Sequence, residues 1–487
     1  MLNTTTAEKL EVSYRLSGRE AIQPAIVHLG LGAFHRGHLA LISDEFMAVS
    51  GQRNWGITSA NILGDKTLVE NLQAQDNLYT VTEIHPDGHR ECKLVSSIVN
   101  SLHAEDDRLP LIEKMSEEDT RIVTLTITEK GYCTNMATGE LLLDHPLIVH
   151  DLANPEHPKT AIGILVAALA ARRAAGIKPF TVLSCDNIPD NGKRTRNAVL
   201  LFATAVNDDL AHWIDEQCTF PSAVVDRIVP ATTQEDLQMV KNKLGVEDKA
   251  AVVCEGFRQW IIEDNFVMGR PDWDDVPGVT FVEDVRPYKE MKLRMHNGAH
   301  SFLAYFGSLG HHTTISEAVS DPELRKATQK LMKCAAETLD VPAYQNLQAY
   351  SEQLLQRFAN TELAHKTSQI AMDGSQKITQ RWLETICWHL DHNSSYAPLA
   401  LGLAAWMKYV SDPDTVIEDP MAAELKLTAE TYPNNLEART KAFFKLHSIF
   451  GDYLPIDERF VREVTIACRI LERRGVQGAL HYMNENF

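Results

Sequence analysis

Lys292, Asn297 and His300 have the types and spacing of a proton-transfer site. They lie in Lys292-Leu293-Arg294-Met295-His296-Asn297-Gly298-Ala299-His300. Pro287 fits the first position of a helix there, and apolar residues continue through Phe302, Leu303 and Phe306. On an α-helical wheel the three fall at about 0°, 140° and 80°, inside one broad arc. Moving a hydride to or from a carbinol carbon requires a partner for the hydroxyl proton and a donor to the oxygen as it gains negative charge. A lysine serves as that partner once desolvation and neighbouring cations bring its pKa towards neutrality. Asn297 would donate to the oxygen, and His300 would orient it or bind a neighbouring hydroxyl. The competing account makes Lys292 and Arg294 solvated helix charges and His300 a hydrogen-bonded buried histidine.

Such chemistry needs elements that hold a hydride carrier. Pro24 introduces a short β-branched run over 25–29, followed by Gly30-Leu31-Gly32-Ala33-Phe34-His35-Arg36-Gly37-His38 and then by Leu39, Ile42, Phe46 and Val49 at helical spacing. Strand, glycine turn and helix open a dinucleotide-binding βαβ unit, in which the helix start presents free amides to a pyrophosphate. Phe34-His35 occupies the region where a third glycine would be sought, so an ordinary strand-to-helix turn is the competing reading. Arg36 is either a further phosphate contact or a surface charge. A second strand over 55–60 leads to Asp65, the candidate for the ribose hydroxyls, which favours NAD over NADP.

Further strands are expected over 121–127 and 180–184, with a helix over 162–176 stopped by its glycine. The first ends at Thr128-Glu129-Lys130-Gly131-Tyr132 and the second at Cys185-Asp186-Asn187. Functional groups of open α/β sheets gather at such carboxyl ends. Asn187 offers a second amide donor, and Asp, Asn, Pro and Gly over 186–192 are also what a turn needs. Asp226-Arg227 stands inside an apolar run, so Asp226 is a substrate contact or half of an ion pair. Beyond residue 285 helical patterns dominate. The fold class expected is α/β, with a Rossmann-type domain over 1–285 followed by a mainly α-helical domain over 286–487.

Composition narrows the classes. A chain of 487 residues, 44% hydrophobic and 23% charged, is a soluble globular protein of two or three domains. The net charge of −19 argues against nucleic acid and anionic membranes as partners. No transmembrane-length run or signal-peptide core is visible, so a cytoplasmic location is expected. The eight cysteines form no CxxC pair, which points to reduced thiols and no cysteine-based zinc site.

Together these segments resemble the mannitol dehydrogenase family, also called polyol-specific long-chain dehydrogenases and reductases. The resemblance covers nearly the whole chain. It is carried by 28–36, 126–132, Ser184-Cys185-Asp186-Asn187, Val225-Asp226-Arg227-Ile228-Val229-Pro230 and the Lys-x4-Asn-x2-His pattern of Lys292, Asn297 and His300. It implies a metal-independent, NAD-dependent oxidoreductase in which Lys292 is the acid/base, Asn297 and Asn187 stabilise the oxyanion, and His300 and Asp226 serve the substrate. The cofactor-binding set it implies is Gly30, Gly32, Phe34, His35, Arg36, Asp65 and Glu129. Segments 255–266, 291–295 and 369–377 are most similar to members acting on sugar acids. Gln369 stands where members acting on neutral polyols tend to carry arginine. Lys377 and Arg381, with Arg294, offer cations for a carboxylate, or are solvated. The implied partner is a small sugar acid or polyol, with a monomer favoured. The alternatives are a neutral polyol dehydrogenase of the same family and a non-catalytic dinucleotide-binding sensor.

Overall fold

The computed structural model describes residues 1–64, 66–135, 138–342, 345–361 and 365–487. Asp65 lies outside the described residues. The chain divides into two compact units, Met1–Val285 and Arg286–Phe487.

The first unit is built on five parallel strands: β1 (Pro24–Leu29), β2 (Gly56–Asn61), β3 (Ile98–His103), β4 (Ile122–Leu125) and β5 (Thr181–Ser184). They are ordered β3-β2-β1-β4-β5, which is the Rossmann order. Alternation along each strand feeds two separate cores. Ile26, Ile57, Ile98 and Ile122 pack with the helix Leu39–Ser50 on one face. Val27, Ala60, Val123 and Val182 pack with Leu109–Ser116, Ala161–Ala174 and Asn191–Val206 on the other. Burial on both faces explains why these strands read as continuous apolar runs. The strand order reverses between β1 and β4, and their carboxyl ends therefore frame the crevice where such sheets bind ligands.

Two features of this unit differ from the sequence expectations. β4 stops at Leu125, because Thr128 adopts a left-handed φ of 63° and turns the chain out of the sheet. Two smaller sheets were not anticipated. One joins Tyr14–Arg15, Arg90–Val95, Tyr79–Ile84 and Val252–Glu255; the other joins Val279–Val282, Gln259–Glu263 and Ala223–Asp226.

The second unit is helix-rich. Its central helix, Gly298–Leu309, is buried along most of its length and packs on Ile315–Ser320, Pro322–Ala336 and Ala397–Ser411. Phe302, Leu303, Ala304, Tyr305 and Phe306 are all fully buried, so nearly every face of this helix meets another. The helical run after Asp373 is in three pieces: Gly374–Ile378, a π-helical turn Thr379–Leu383, and Glu384–Asp391. A second π-helical segment, Lys292–Asn297, precedes the central helix and packs against the first. No helix among the described residues is long and apolar enough to cross a membrane.

Candidate active site

At the end of β1, Gly30 has φ +106°, and a Cβ there would lie 2.0 Å from the Thr126 carbonyl oxygen. Only glycine fits, because the turn is pressed against the end of β4. Gly32 begins the short helix Ala33–Gly37, and nothing lies within 4 Å of where its Cβ would be. That open backbone suits the close approach of a pyrophosphate.

His28 braces this turn from beneath. Its Nδ1 meets Thr124 Oγ1 at 2.6 Å, and its Nε2 meets Thr126 Oγ1 at 2.8 Å and the Gly30 carbonyl at 2.9 Å. Burial holds its pKa down at about 3, so the ring is neutral. His35, at the place of the usual third glycine, stacks on it with ring centroids 3.5 Å apart and hydrogen-bonds Ser59 Oγ at 2.8 Å. Burial lowers its pKa as well, and two neutral imidazoles stack without repulsion. Phe34 is half-buried and stacks on His38.

Arg36 corrects an expectation. It is 6% exposed, its Nη1 donates to the Ala250 carbonyl, and its guanidinium lies over the Tyr79 ring. The side chain serves the interior of the unit, so it is neither a surface charge nor placed as a phosphate ligand.

The carboxyl ends of β4 and β5 are tied together by Asp186, to which sequence reasoning gave no role. Its carboxylate accepts from the backbone amides of Ile127 (3.0 Å) and Thr128 (2.9 Å) and from Tyr132 Oη (2.7 Å). Burial raises its pKa, and these donors oppose the shift. The turn so fixed carries Glu129, exposed, while Asn187 is exposed directly after Asp186. Asp226 is buried on its strand at 4% exposure. The adjacent Arg227 pairs with Glu83, which leaves the substrate contact as the other role considered for Asp226. Glu83, His85 and Glu91 bring potential metal-ligand atoms within 4.8 Å of one another. Both Glu83 oxygens already meet cations, Arg227 and Lys93 (2.5 Å), which balance the charge a metal would need.

In the second unit Lys292 and Asn297 bound the π-helical segment. Hydrogen bonds to the fifth residue wind the chain more slowly than an α-helix, so residues five apart draw towards one face. The α-helical wheel placed Lys292 and Asn297 too far apart for that reason. Lys292 is 9% exposed. One turn on, His300 stacks on Phe358 at 5.1 Å, with His296 and His365 beside it. Burial, followed by His296, His365, Arg381 and Arg357, pushes its pKa well below the ordinary histidine value. Its Nε2 is buried without a hydrogen-bond partner among the described residues.

The three cations considered for a carboxylate, or as solvated charges, differ in their contacts. Arg294 Nη1 donates to the Thr338 carbonyl (3.1 Å) and Oγ1 (3.0 Å), and its Nη2 pairs with Glu290 (3.4 Å) and Glu384 (3.6 Å). It is therefore committed to helix packing and corrects the expectation of a substrate contact. Lys377 is half-buried, with only a long 3.4 Å bond to the Ile370 carbonyl. Arg381 Nη1 donates to the Asn297 carbonyl (3.1 Å) and Ser301 Oγ (2.7 Å). Gln369 is exposed on the short helix Thr367–Ile370. The contacts of Arg381, like the π-helical winding, carry no signal in hydrophobic periodicity.

Comparison with known proteins decides the family. The mannitol dehydrogenase Rossmann domain matches residues 24–275, and the mannitol dehydrogenase C-terminal domain matches residues 284–471. The chain belongs to the mannitol dehydrogenase family. It is an oxidoreductase, and the expected resemblance and fold class both hold. It is 46% identical to D-mannonate oxidoreductase of Escherichia coli strain K12, over 98% of this chain and 99% of that protein. Among solved structures it is similar to a substrate-free D-sorbitol dehydrogenase, with a TM-score of 0.91 and 31% identity over 99% of this chain and 100% of that one. It is also similar to Pseudomonas fluorescens mannitol 2-dehydrogenase in ternary complex with NAD and D-mannitol, with a TM-score of 0.83 and 34% identity, covering 100% of both chains.

Proposed function

We propose that the protein is an NAD-dependent reductase of a keto-sugar acid, converting fructuronate to D-mannonate and back, with Lys292 as acid/base. Bound NADH would supply the hydride to the C5 carbonyl carbon. Lys292 Nζ would give its proton to the carbonyl oxygen as charge develops there, and would accept it from the alcohol in the reverse direction. Asn297 and Asn187 would donate amide hydrogens to that oxygen. His300, held neutral, has Nε2 for a substrate hydroxyl, and Asp226 is assigned to the substrate. Gly30 and Gly32 would admit the pyrophosphate, with Phe34, His35 and Glu129 completing the nucleotide site, Asp65 on the ribose, and no metal in the reaction. The observation that carries the reading is the π-helical turn, which draws a nearly buried lysine and an amide donor towards one face immediately before a partly buried imidazole whose shielded Nε2 has no partner among the described residues.

A neutral polyol dehydrogenase is the second reading, favoured by the likeness to proteins named for sorbitol and mannitol. NADH consumption with fructuronate, tagaturonate and fructose side by side, repeated with NADPH, separates the two. Rapid turnover of one uronate with fructose inert is the expected result. Turnover of fructose alone would overturn the sugar-acid reading and leave the lysine mechanism standing.

A further inference from the structure

Arg381 is an arginine with most of its hydrogen-bonding capacity unspent. A guanidinium has five N–H donors in a planar fork that matches a carboxylate edge. Here Nη1 alone is engaged, and among the described residues Nε and Nη2 make no hydrogen bond and no carboxylate lies within ion-pair reach. Burial pushes its pKa down to about 10, and the partly buried cation has no acid to balance it among the described residues.

Other arginines show how this chain ordinarily treats such a group. Arg227 pairs with Glu83 and donates to the Gly37 and Glu255 carbonyls. Arg172 lacks an acid but spreads its donors over the Lys178, Met115 and Glu117 carbonyls.

A second cation adds to the imbalance. Lys377 stands four residues before Arg381 on the same helical run, likewise without an ion-pair partner among the described residues, and Arg381 lowers its pKa further after burial has done so. Two like charges at this spacing repel and destabilise the helix that carries them. Both facts hold in a chain of net charge −19, where acids to neutralise them are plentiful.

The location gives the pair a purpose. Arg381 lies in the π-helical turn Thr379–Leu383, and its one engaged nitrogen reaches the Asn297 carbonyl and Ser301 Oγ, on either side of His300. Trp382 Nε1 donates to the Gly298 carbonyl at 3.2 Å and locks the two π-helical segments together.

We propose that Arg381 is the specificity-determining residue that receives the substrate carboxylate through Nε and Nη2, with Lys377 as the second cation of that subsite. The inference rests on the sugar-acid reading above. It assigns the carboxylate to Arg381 and takes it away from Arg294. A neutral polyol would leave both cations uncompensated, so the same pair would discriminate against it.

The test is steady-state kinetics of the full-length enzyme on fructuronate and fructose, for wild type, Arg381→Gln and Arg381→Lys, with thermal melting of each. In Arg381→Gln the KM for fructuronate should rise roughly 10- to 100-fold, more than kcat falls, and the preference for fructuronate over fructose should drop by a similar factor. Arg381→Lys should recover part of that loss, since it keeps the charge and loses the fork. An unchanged KM for fructuronate, or equal loss on both substrates, would overturn the assignment. If the glutamine variant does not fold, the lysine variant decides alone, and an unmoved KM there counts against it. A wild type that reduces fructose and no uronate overturns the sugar-acid reading itself, a failure visible before any variant is made.

Discussion

His28, fully buried, and His300, partly buried with its Nε2 shielded from solvent, are both held neutral by desolvation, yet the chain uses them differently. In His28 both ring nitrogens are bonded, to Thr124, Thr126 and Gly30, and the ring acts as scaffolding for the glycine turn. In His300 the Nε2 is buried with no partner among the described residues. A buried polar atom left unpaired costs roughly 1–3 kcal/mol, so a fold that keeps one has a use for it. Arg227 and Arg381 repeat the contrast among arginines. Within these two pairs the saturated member builds and the unsaturated one is proposed to bind; the contrast is not a general rule, since Arg36 Nε and Arg294 Nε are also buried without a partner among the described residues.

The largest effect is expected at Lys292. Lys292→Ala should lower kcat by roughly 10²- to 10⁴-fold, the usual contribution of a general acid/base, while NADH affinity measured by fluorescence titration stays near the wild-type value. Near-normal turnover would sink the proton-transfer assignment. On the scaffolding side the largest effect is expected at Gly30. Gly30→Ala forces a side chain into the left-handed region and onto the Thr126 carbonyl, and should cost at least ~2 kcal/mol in urea unfolding together with loss of NADH binding. A fully stable Gly30→Ala variant would show that the turn is not pressed against β4.

How much of this contrast could be read beforehand depended on the kind of signal. The β-branched runs at β1, β4 and β5 and the helix over 161–174 were legible, because burial on both faces and helical spacing are written directly in residue type. The strands Tyr79–Ile84 and Arg90–Val95 were not: Thr80, Thr82 and Glu83 interrupt the apolar pattern, and Thr80 and Glu83 are satisfied by Asp248 and Arg227 from distant parts of the chain and by Lys93 on the paired strand. The types and spacing of Lys292, Asn297 and His300 were legible, but the winding between them was not. A π-helical turn has no periodic signature in eleven residues of sequence, so the wheel overestimated the angle from Lys292 to Asn297. The directions of Arg36 and Arg294 were equally hidden, since an arginine reads the same whether its fork meets solvent, a carbonyl or a substrate.

The two histidines can be set against each other directly. His28→Ala leaves the buried Thr124 hydroxyl without its ring partner and the Gly30 turn unbraced, and should cost about 2–3 kcal/mol of stability. His300→Ala should cost little stability and lower kcat/KM roughly 10- to 100-fold, because the Nε2 it removes has no hydrogen-bond partner among the described residues. Loss of stability of equal size in both variants would erase the distinction.

Acid sharpens the same difference. The folded pKa of His28 is about 3, below the unfolded value near 6.5, and His38 is lowered to about 3 as well. A depressed histidine contributes stability above the unfolded pKa, and that contribution is lost as pH falls from about 6.5 towards 3, where the unfolded chain takes up protons that the folded one refuses. Between pH 7 and pH 5 each such histidine should cost about 2 kcal/mol. Replacing His28 by Asn should therefore flatten the pH dependence of urea unfolding over that interval, and an unaltered slope would show that its ring is protonated in the fold.

Arg294 should give the smallest effect. It shares a helical stretch with Lys292, and from sequence it was as good a carboxylate ligand as Arg381. Its guanidinium instead meets Thr338, Glu290 and Glu384, and the two acids are themselves substantially exposed, so the ion pairs are screened. Arg294→Met keeps most of the apolar stem and should change stability by about 1 kcal/mol or less, with the KM for fructuronate unmoved. A KM that rose as far in Arg294→Met as in Arg381→Gln would mean that the fork bonded to Thr338 lets go when substrate arrives. The distinction between spent and unspent donors would then fail for this pair of arginines.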